Sequence, residues 1–208
     1  MIDQANQSSG DSPLPLAARR HGVVHEIGRG FRMTCDGQQP GPVVLAVSGG
    51  RDSLALLIAA VVLRDHDDWS MSPRVVHVHH HLRSESDAEA AHVLAVSEQL
   101  EVPAEIRHVE VPGGTSAAAR ESRYEALVQF AMECESSCIA TGHHAEDQLE
   151  TILAAIGRGA GPSGLAGMAG RRHLTDGISL IRPMLKVSRK DAASLCDAAG
   201  ISWCDDPG

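Results

Sequence analysis

The sequence lacks any apolar segment long enough to cross a membrane. Its longest apolar run, 54–63, is about half of the roughly twenty residues that a membrane-spanning helix needs. The polar stretch 1–12 has neither the basic start nor the apolar core of a signal peptide. We therefore predict a cytoplasmic protein without a membrane partner, in which 1–12 is a loose polar tail and 13–208 is one folded domain.

Cysteine is sparse and odd in number. The five cysteines of the 208-residue chain are irregularly spaced, so they do not form the disulfide framework of a secreted domain. Cys134 and Cys138 lie one turn apart at a predicted helix end, which leaves a metal or redox pair open, although their spacing is not that of a zinc ribbon. Free, packed thiols are the simpler interpretation.

Lysine occurs only at positions 186 and 190. No glycine-rich loop therefore ends in Gly-Lys-Ser/Thr, which excludes a Walker-type phosphate loop. Gly159, Gly161 and Gly164 have the G-x-G-x-x-G spacing, but they follow a predicted helix rather than a strand. That context excludes a dinucleotide-binding loop.

Acidic residues outnumber basic ones, and the net charge of −9 argues against binding of nucleic acid by bulk electrostatics. The charge is unevenly distributed, however. The stretch 85–110 is acidic, whereas 151–190 carries seven basic residues against the single acid Asp176. A polyanion could dock on the basic stretch, although charge alone fits a solvated face equally well.

Short β-rich runs alternate with longer helical patterns, which is typical of parallel strands joined by crossover helices. We predict an α/β domain with a doubly wound, mostly parallel sheet of about five strands and helices on both faces. The glycine-rich stretch 157–170 is predicted to be a long loop. The predicted strands are 43–47, 74–79, 105–111, 137–141 and 178–182, and the predicted helices are 14–33, 53–64, 87–100, 116–133, 145–157 and 188–199.

One turn, between the first predicted strand and its helix, has the composition of a phosphate-binding loop. Such a turn gathers backbone N–H groups and a helix N-terminus at one point, which favours anion binding. The glycines allow close approach of a pyrophosphate, the serine hydroxyls can donate to phosphate oxygens, and the aspartate can hold Mg²⁺. An ordinary tight turn is the alternative to this predicted ATP site. Its residues are Ser48, Gly49, Gly50, Arg51, Asp52 and Ser53.

The turn and the preceding Leu-Ala-Val resemble the signature of the N-type ATP pyrophosphatases, the PP-loop family. Further motifs, in order, resemble one branch of it, the tRNA(Ile)-lysidine synthetases. Their order is more specific than any one motif, and it implies a fold like that of the adenine nucleotide alpha hydrolases. The motifs are HVHHHLR at 77–83, RESRY at 120–124, TGHHAEDQLET at 141–151, RGAG at 158–161, GLAGM at 164–168, IRPML at 181–185 and DDP at 205–207.

The resemblance implies a carbon–nitrogen ligase that acts on isoleucine tRNA with a CAU anticodon. ATP would adenylate the C2 oxygen of the wobble cytidine and release pyrophosphate; the ε-amine of free L-lysine would then attack C2 and expel AMP, leaving lysidine. The amine has an ordinary pKa of about 10.4 and must react in its neutral form. Positioning and desolvation are the expected means.

The resemblance also implies a lysine-binding group. Asp147 and Glu150 would receive the lysine, and Arg123 would orient its carboxylate. The two acids share a surface of their predicted helix, away from its apolar face. The alternative is that both merely favour the positive end of that helix.

Histidines and Asp52 complete the implied ATP and catalytic site. His80 would lie beside the adenine or the phosphates, and His143 and His144, at the end of the fourth strand, would contact the α-phosphate or the target base. The histidines at 77, 79 and 81 could also suggest zinc, but no acid or cysteine follows at ligand spacing.

Candidate contacts to the tRNA come from the basic residues. With few aromatic residues in the chain, base stacking would fall to Tyr124, histidine or arginine. The oligomeric state stays open, with a homodimer as one option. The candidate tRNA contacts are Arg83, Arg158, Arg171, Arg172 and Arg182.

Two positions depart from the family pattern. Glu146 stands where aspartate is usual and His79 where an acid is common, so the geometry at the metal could differ. The C-terminal region with which family members usually grip tRNA is expected to be absent here. Three other functions stay open: a tRNA 2-thiolation enzyme of the same superfamily, which usually has a cysteine pair, an amide-forming enzyme for a small metabolite, and a non-catalytic nucleotide-binding module.

Overall fold

The structure is a computed structural model that describes residues 12–35, 41–66, 69–79, 86–111, 115–162 and 164–204. The predicted nucleotide contact His80, the candidate tRNA contact Arg83, and His81 lie outside the described residues. So do the motif at 205–207 and positions 1–11 of the predicted tail.

Helices and strands alternate along the described chain as the sequence pattern predicts. A 3₁₀ turn, Gly164–Ala166, lies inside the stretch predicted to be a long loop. The elements in order are α1 (Leu16–Arg19), α2 (Gly22–Thr34), β1 (Pro42–Ala46), α3 (Arg51–Arg64), β2 (Ser72–His79), α4 (Ser86–Gln99), β3 (Ala104–His108), α5 (Ser116–Glu133), β4 (Cys138–Thr141), α6 (Ala145–Gly157), β5 (Arg171–Thr175), β6 (Ile178–Ile181) and α7 (Arg189–Ala199).

The strands form one sheet in the order β3-β2-β1-β4-β6-β5. Strands β3, β2, β1, β4 and β6 are parallel to one another, and β5 pairs antiparallel with β6. The winding reverses after β3, so the carboxyl ends of β1 and β4 lie side by side at the switch point, where open α/β sheets bind ligands. The predicted α/β fold, doubly wound and mostly parallel, is confirmed.

The sheet has one more strand than predicted. β5 starts with Arg171, Arg172 and His173, all exposed, and lacks the apolar run from which the other strands were predicted. An edge strand needs little apolar sequence because a partner covers only one side of it. The predicted helix 14–33 is also two helices, since the chain leaves the helix at Arg20 and starts again after the N-cap His21.

The helices cover both faces of the sheet. One face carries α3, which is buried from Ser53 to Leu63 and therefore apolar on all sides, as expected of a helix between a sheet and an outer helix layer. Helices α2, α4 and α7 complete that core. On the other face, Leu127 and Phe130 of α5 pack on the sheet. Among the described helices, none is both long enough and apolar enough to span a membrane.

Helix α6 lies largely outside both cores. Its predicted apolar face is on the surface, where Leu149, Leu153 and Ile156 are each more than half exposed, and only Ala155 is buried. The burial of this helix therefore does not explain its place in the fold, which rests instead on the contacts at its N-terminus described below.

Gly30 allows α2 to lie directly against the segment that follows β6. A Cβ at this position would lie 1.9 Å from the Pro183 carbonyl oxygen, a backbone atom that cannot swing aside. We predict that Gly30→Ala lowers the free energy of unfolding by about 1–3 kcal/mol or more, measured as the shift in urea midpoint. Gly22→Ala in the same helix meets nothing within 4 Å and should leave stability unchanged or slightly higher. Equal stability of the two variants would contradict this packing.

Candidate active site

A cleft of about 660 Å³ opens at the carboxyl ends of β1 and β4. Most of the residues predicted for ATP, lysine and catalysis line it, although they come from three separate parts of the chain. The cleft is therefore the place where the predicted site residues meet. Those in its wall are Ser48, Gly50, Arg51, Asp52, Ser53, Arg123, His143, His144 and Asp147.

The phosphate-type turn is held in shape by its own serines. The Ser53 hydroxyl accepts a hydrogen bond from the Ser48 N–H at 3.1 Å and donates to the Gly50 carbonyl at 2.8 Å, and Ser53 is only 7% exposed. Gly49 has a φ of +92°, which favours glycine. Ser53 thus shapes the turn, whereas the exposed Ser48 is the hydroxyl placed to meet a ligand.

The first turn of α3 is open to an anion. Its N-cap is Gly50, which supplies no side-chain hydrogen bond to the helix. By contrast, Thr115 caps α5 and Ser188 caps α7 with their side chains. Because the first N–H groups of a helix have no partner within it, an uncapped N-terminus beside a glycine turn is suited to bind phosphate.

Asp52 places a carboxylate at this helix end. Arg51 donates to both of its oxygens at 3.1 Å, and Nε2 of His144 lies 3.5 Å from its Oδ2. The Asp52 side chain is 24% exposed, so it faces the cleft while its orientation is set from two sides.

Gly142 brings the end of β4 against the start of α3. A Cβ on Gly142 would lie 2.8 Å from the Asp52 carbonyl oxygen and 3.0 Å from the Ser53 nitrogen. Only glycine allows this distance, since both neighbours are backbone atoms. This close approach is what puts the histidines after β4 within reach of Asp52.

His144 connects Asp52 at the start of α3 with Asp147 in the first turn of α6. It is buried and forms a capping box with Asp147: the His144 N–H donates to Asp147 Oδ2 at 2.8 Å, and the Asp147 N–H donates to His144 Nδ1 at 3.4 Å. The same imidazole approaches Asp52 with its other nitrogen. His144 thus lines the cleft and is placed to position both carboxylates.

Glu146 ties α6 to α7. Its carboxylate accepts the Arg189 N–H at 2.9 Å and lies 3.2 Å from His144 Nδ1. Burial acts to raise the pKa of Glu146, but the hydrogen bonds from the N–H groups of Arg189 and of Glu146 itself outweigh it and lower the pKa below its ordinary value. The departure from aspartate at this position therefore serves a helix-to-helix contact.

His143 is held as a neutral imidazole. Its Nδ1 lies 2.8 Å from the Thr141 hydroxyl. Burial lowers the pKa of His143, and the cations Arg182, Arg123 and Arg120 lower it further, while Asp147 opposes them. At neutral pH the ring is thus uncharged and lines the cleft beside Asp147.

The residues predicted to bind lysine are only partly brought together. Arg123 and Asp147 line the cleft. Glu150 lies one turn further along α6, is exposed, and does not form part of the cleft wall. Of the two acids, which lie three residues apart on α6, only Asp147 lines the cleft.

Residues 24–208 match the PP-loop domain. The chain belongs to the PP-loop domain family.

Three curated relatives of this PP-loop domain share one name. The chain is 40% identical over 196 residues to tRNA(Ile)-lysidine synthase of Salinispora tropica, covering 92% of this chain and 56% of that protein. It is 42% identical to the protein of the same name from Salinispora arenicola, covering 80% and 50%, and 40% identical to that of Pseudomonas putida, covering 78% and 38%. The chain thus spans about half the length, or less, of these relatives.

Solved structures share the fold at low identity. The U34-tRNA thiolase NcsA of Methanococcus maripaludis superposes with a TM-score of 0.70 at 16% identity, covering 89% of this chain and 67% of that one. NMN synthetase of Francisella tularensis superposes with a TM-score of 0.54 at 14% identity, covering 86% and 70%. These matches bear on the fold of the PP-loop domain alone.

The cleft of the PP-loop domain contains residues that the sequence patterns did not single out. Arg189, Trp203 and Cys204 line it, and the Cys204 N–H donates to the Gly49 carbonyl at 3.0 Å. The segment after α7 therefore lies across the phosphate turn. Local sequence patterns could not predict this contact, because it joins positions far apart in the chain.

Two metal interpretations gain no support in the part of the chain that the structure describes. His77 bonds to the Val47 carbonyl at 2.9 Å and His79 lies 3.0 Å from Asp87, but no group of three metal-ligating side chains occurs among the described residues. Cys134 caps α5 and Cys138 begins β4, which places both at the edge of the sheet opposite the cleft.

The candidate tRNA contacts within the described residues lie in three places. Arg172 and Arg182 lie near Tyr124, a residue of the cleft wall. Arg171 bonds instead to the Ser179 hydroxyl at 3.1 Å, and Arg158 is exposed at the far end of α6. The sequence pattern could not separate them, because they follow each other on one basic stretch.

Gly142 provides a test of the geometry on which the site depends. We predict that Gly142→Ala weakens ATP binding at least about tenfold, because its Cβ displaces the first turn of α3. Isothermal titration of ATP measures this, with circular dichroism to establish that the fold persists. Gly157→Ala, whose Cβ meets nothing within 4 Å, is the matched control. ATP affinity equal to that of the control would show that the contact does not position the turn.

Proposed function

We propose that this domain catalyses lysidine formation on isoleucine tRNA with a CAU anticodon, using ATP, Mg²⁺ and free L-lysine. The observation that carries the proposal is the cleft, in which an uncapped phosphate turn, the Asp52 carboxylate and the pair Arg123 and Asp147 face one space. Relatives named tRNA(Ile)-lysidine synthase at 40% identity and more support it.

The turn side of the cleft takes ATP. The triphosphate lies against the N–H groups at the start of α3, with the Ser48 hydroxyl as a further donor. The α-phosphorus then faces the middle of the cleft, where the C2 oxygen of the cytidine attacks it and pyrophosphate leaves. Adenylation makes that oxygen part of AMP, a far better leaving group than the original carbonyl oxygen.

Asp52 is the residue that would hold Mg²⁺. This ion usually takes one or two carboxylates together with substrate phosphates and waters rather than a full protein cage. The single carboxylate beside the turn fits that habit, as does the lack of a three-ligand cluster in the described residues. When bound, the ion offsets the charge of the triphosphate.

The β4 side of the cleft takes lysine. A guanidinium and a carboxylate in one wall match the two ends of an amino acid zwitterion: Arg123 holds the lysine carboxylate and Asp147 an ammonium group. Glu150, exposed one turn away, serves as a second acid at the entrance. His144 keeps Asp147 aimed at the cleft through the capping box.

His143 is suited to accept a proton. The lysine ε-amine must shed protons as its nitrogen bonds to C2, and a neutral imidazole lining the cleft can receive one. The departing AMP takes the bonding electrons of the C2–O bond. The aromatic Tyr124 and the arginines around it lie on the side from which the RNA enters.

The alternatives fit the cleft less well. A 2-thiolation enzyme of the usual type needs a cysteine pair, and within the described residues Cys204 alone lines the cleft, with Cys134 and Cys138 at the opposite edge. An enzyme for a small metabolite has no use for a group of arginines beside the cleft that form no ion pair with the described acids. A non-catalytic module would not need Asp52 and Asp147 to line the same cleft.

The test is product formation with each component left out in turn. With ATP, Mg²⁺, lysine and the tRNA present, we expect AMP and lysidine-containing tRNA, measured by mass spectrometry, and no lysidine when any one is omitted. Asp52→Asn should lower the rate at least about 100-fold. Asp65→Asn, at the other end of α3 and paired with Arg64, is the control and should retain the rate. Turnover that ignores lysine would refute the proposal.

The pH dependence of the carbon–nitrogen step checks His143. Because its pKa is lowered, the neutral base persists to more acidic solution than for an ordinary histidine, so the rate should fall only below pH 6.5. Single-turnover rates between about pH 5 and 9 would measure this. His143→Gln should remove that acid limb together with most of the rate. A limb at or above the ordinary histidine value would contradict the assignment.

A further inference from the structure

Four arginines surround one tyrosine beside the cleft. The guanidinium carbons of Arg120, Arg172 and Arg123 lie 5.2, 5.4 and 5.9 Å from the centroid of the Tyr124 ring. These distances are those of cation–π contacts. Arg182 is the fourth, and Tyr124, Arg172 and Arg120 are all close enough to influence its pKa.

No carboxylate of the described residues forms an ion pair with any of these arginines. Arg182 is only 6% exposed; its Nη1 donates to the Ala169 carbonyl at 2.6 Å, whereas its Nε has no hydrogen-bond partner within the described ranges. Burial lowers the pKa of Arg182, and the neighbouring Arg172 and Arg120 lower it further. Concentrated positive charge without a counter-charge is costly unless an anion joins it.

The sheet places the arginines on one side of the cleft. Arg172 pairs in register with Leu180, whose side chain lies in the core under α5. Because side chains alternate along a strand, Arg172 and Arg182, two residues beyond Leu180, face the α5 side, where Tyr124 is. Both lie at the carboxyl edge of the sheet, next to the cleft.

The strand order separates this charge from the phosphate turn. The turn follows β1, His143 and His144 follow β4, and Arg182 follows β6. β6 is two strand spacings, about 10 Å, from β1. The histidines after β4 therefore lie between the arginines and the proposed triphosphate site. An anion bound there reaches the cleft from the side opposite to ATP.

We propose that the exposed Arg120 and Arg172, held by Tyr124 beside the buried Arg182, bind a backbone phosphate of the RNA strand next to the target base. The inference rests on the proposed function, whose RNA substrate must deliver a base to the middle of the cleft. Arg123 suffices for the single carboxylate of lysine, and the triphosphate has its own site. The remaining guanidiniums match phosphodiesters, which arginine binds in a bidentate manner. Tyr124 acts as a positioning residue.

Binding of an anticodon stem-loop RNA tests the assignment without turnover. Fluorescence anisotropy with a labelled CAU stem-loop, in the absence of ATP and lysine, gives the affinity at several salt concentrations. Arg120→Gln and Arg172→Gln, both at exposed positions, should each weaken binding roughly fivefold to tenfold and reduce the salt slope by about 0.7–0.9. Arg74→Gln, exposed on the amino-terminal half of β2, removes the same charge and should change neither.

Further variants separate this role from a structural one. Tyr124→Phe retains the ring face and should keep the RNA affinity and the salt slope, whereas Tyr124→Leu should lower both. ATP affinity, measured separately, should be unaffected by the arginine variants. Wild-type RNA binding and salt slope in both arginine variants would overturn the inference, as would loss of ATP affinity equal to the loss of RNA affinity. Equal binding of a stem-loop with another anticodon, still weakened by Arg172→Gln, would support the phosphate site while counting against the proposed tRNA specificity.

Discussion

The contact between Gly142 and the first turn of α3 is the constraint on which the site depends. A missing side chain lets the backbone after β4 lie against the carbonyl of Asp52, at the point where parallel strands change their direction of winding. That distance lets one buried imidazole, His144, approach Asp52 with one nitrogen and accept from Asp147 with the other. A carboxylate beside the phosphate turn and a carboxylate on α6 are thereby held in one frame.

Charge is distributed across the cleft in bands that follow the strand order. The uncapped end of α3 offers partial positive charge after β1, carboxylates occupy the middle after β4, and guanidiniums lie after β6. The triphosphate, amino acid and RNA strand of the proposed reaction would each meet complementary charge in this arrangement. The overall charge of −9 therefore says little about the local field, because the arginines on the α5 side form no ion pair with any acid among the described residues.

Helix α6 combines polar anchoring contacts at its N-terminus with an exposed apolar surface along its length. Its N-terminus is tied down by the capping box and by Glu146 bonded to α7, while three large apolar side chains remain exposed along its length. The helix is thus anchored by polar contacts at the cleft. A solvent-facing apolar stripe of this kind is unusual for a helix with so few buried residues, and it explains why apolar periodicity alone predicted the helix but not its environment.

Local residue patterns were enough to predict the alternation of strands and helices, the glycine-rich turn at 48–53 and the two acids of α6, because each depends on residues close together in the chain. Long-range packing set three other features: β5 joins the sheet as an antiparallel edge, Cys204 reaches Gly49, and Asp147 rather than Glu150 lines the cleft. It also separated Arg172, beside Tyr124, from Arg171, which the sequence treats alike. These outcomes depend on which strands become neighbours and which way each side chain points, and local residue patterns contain neither.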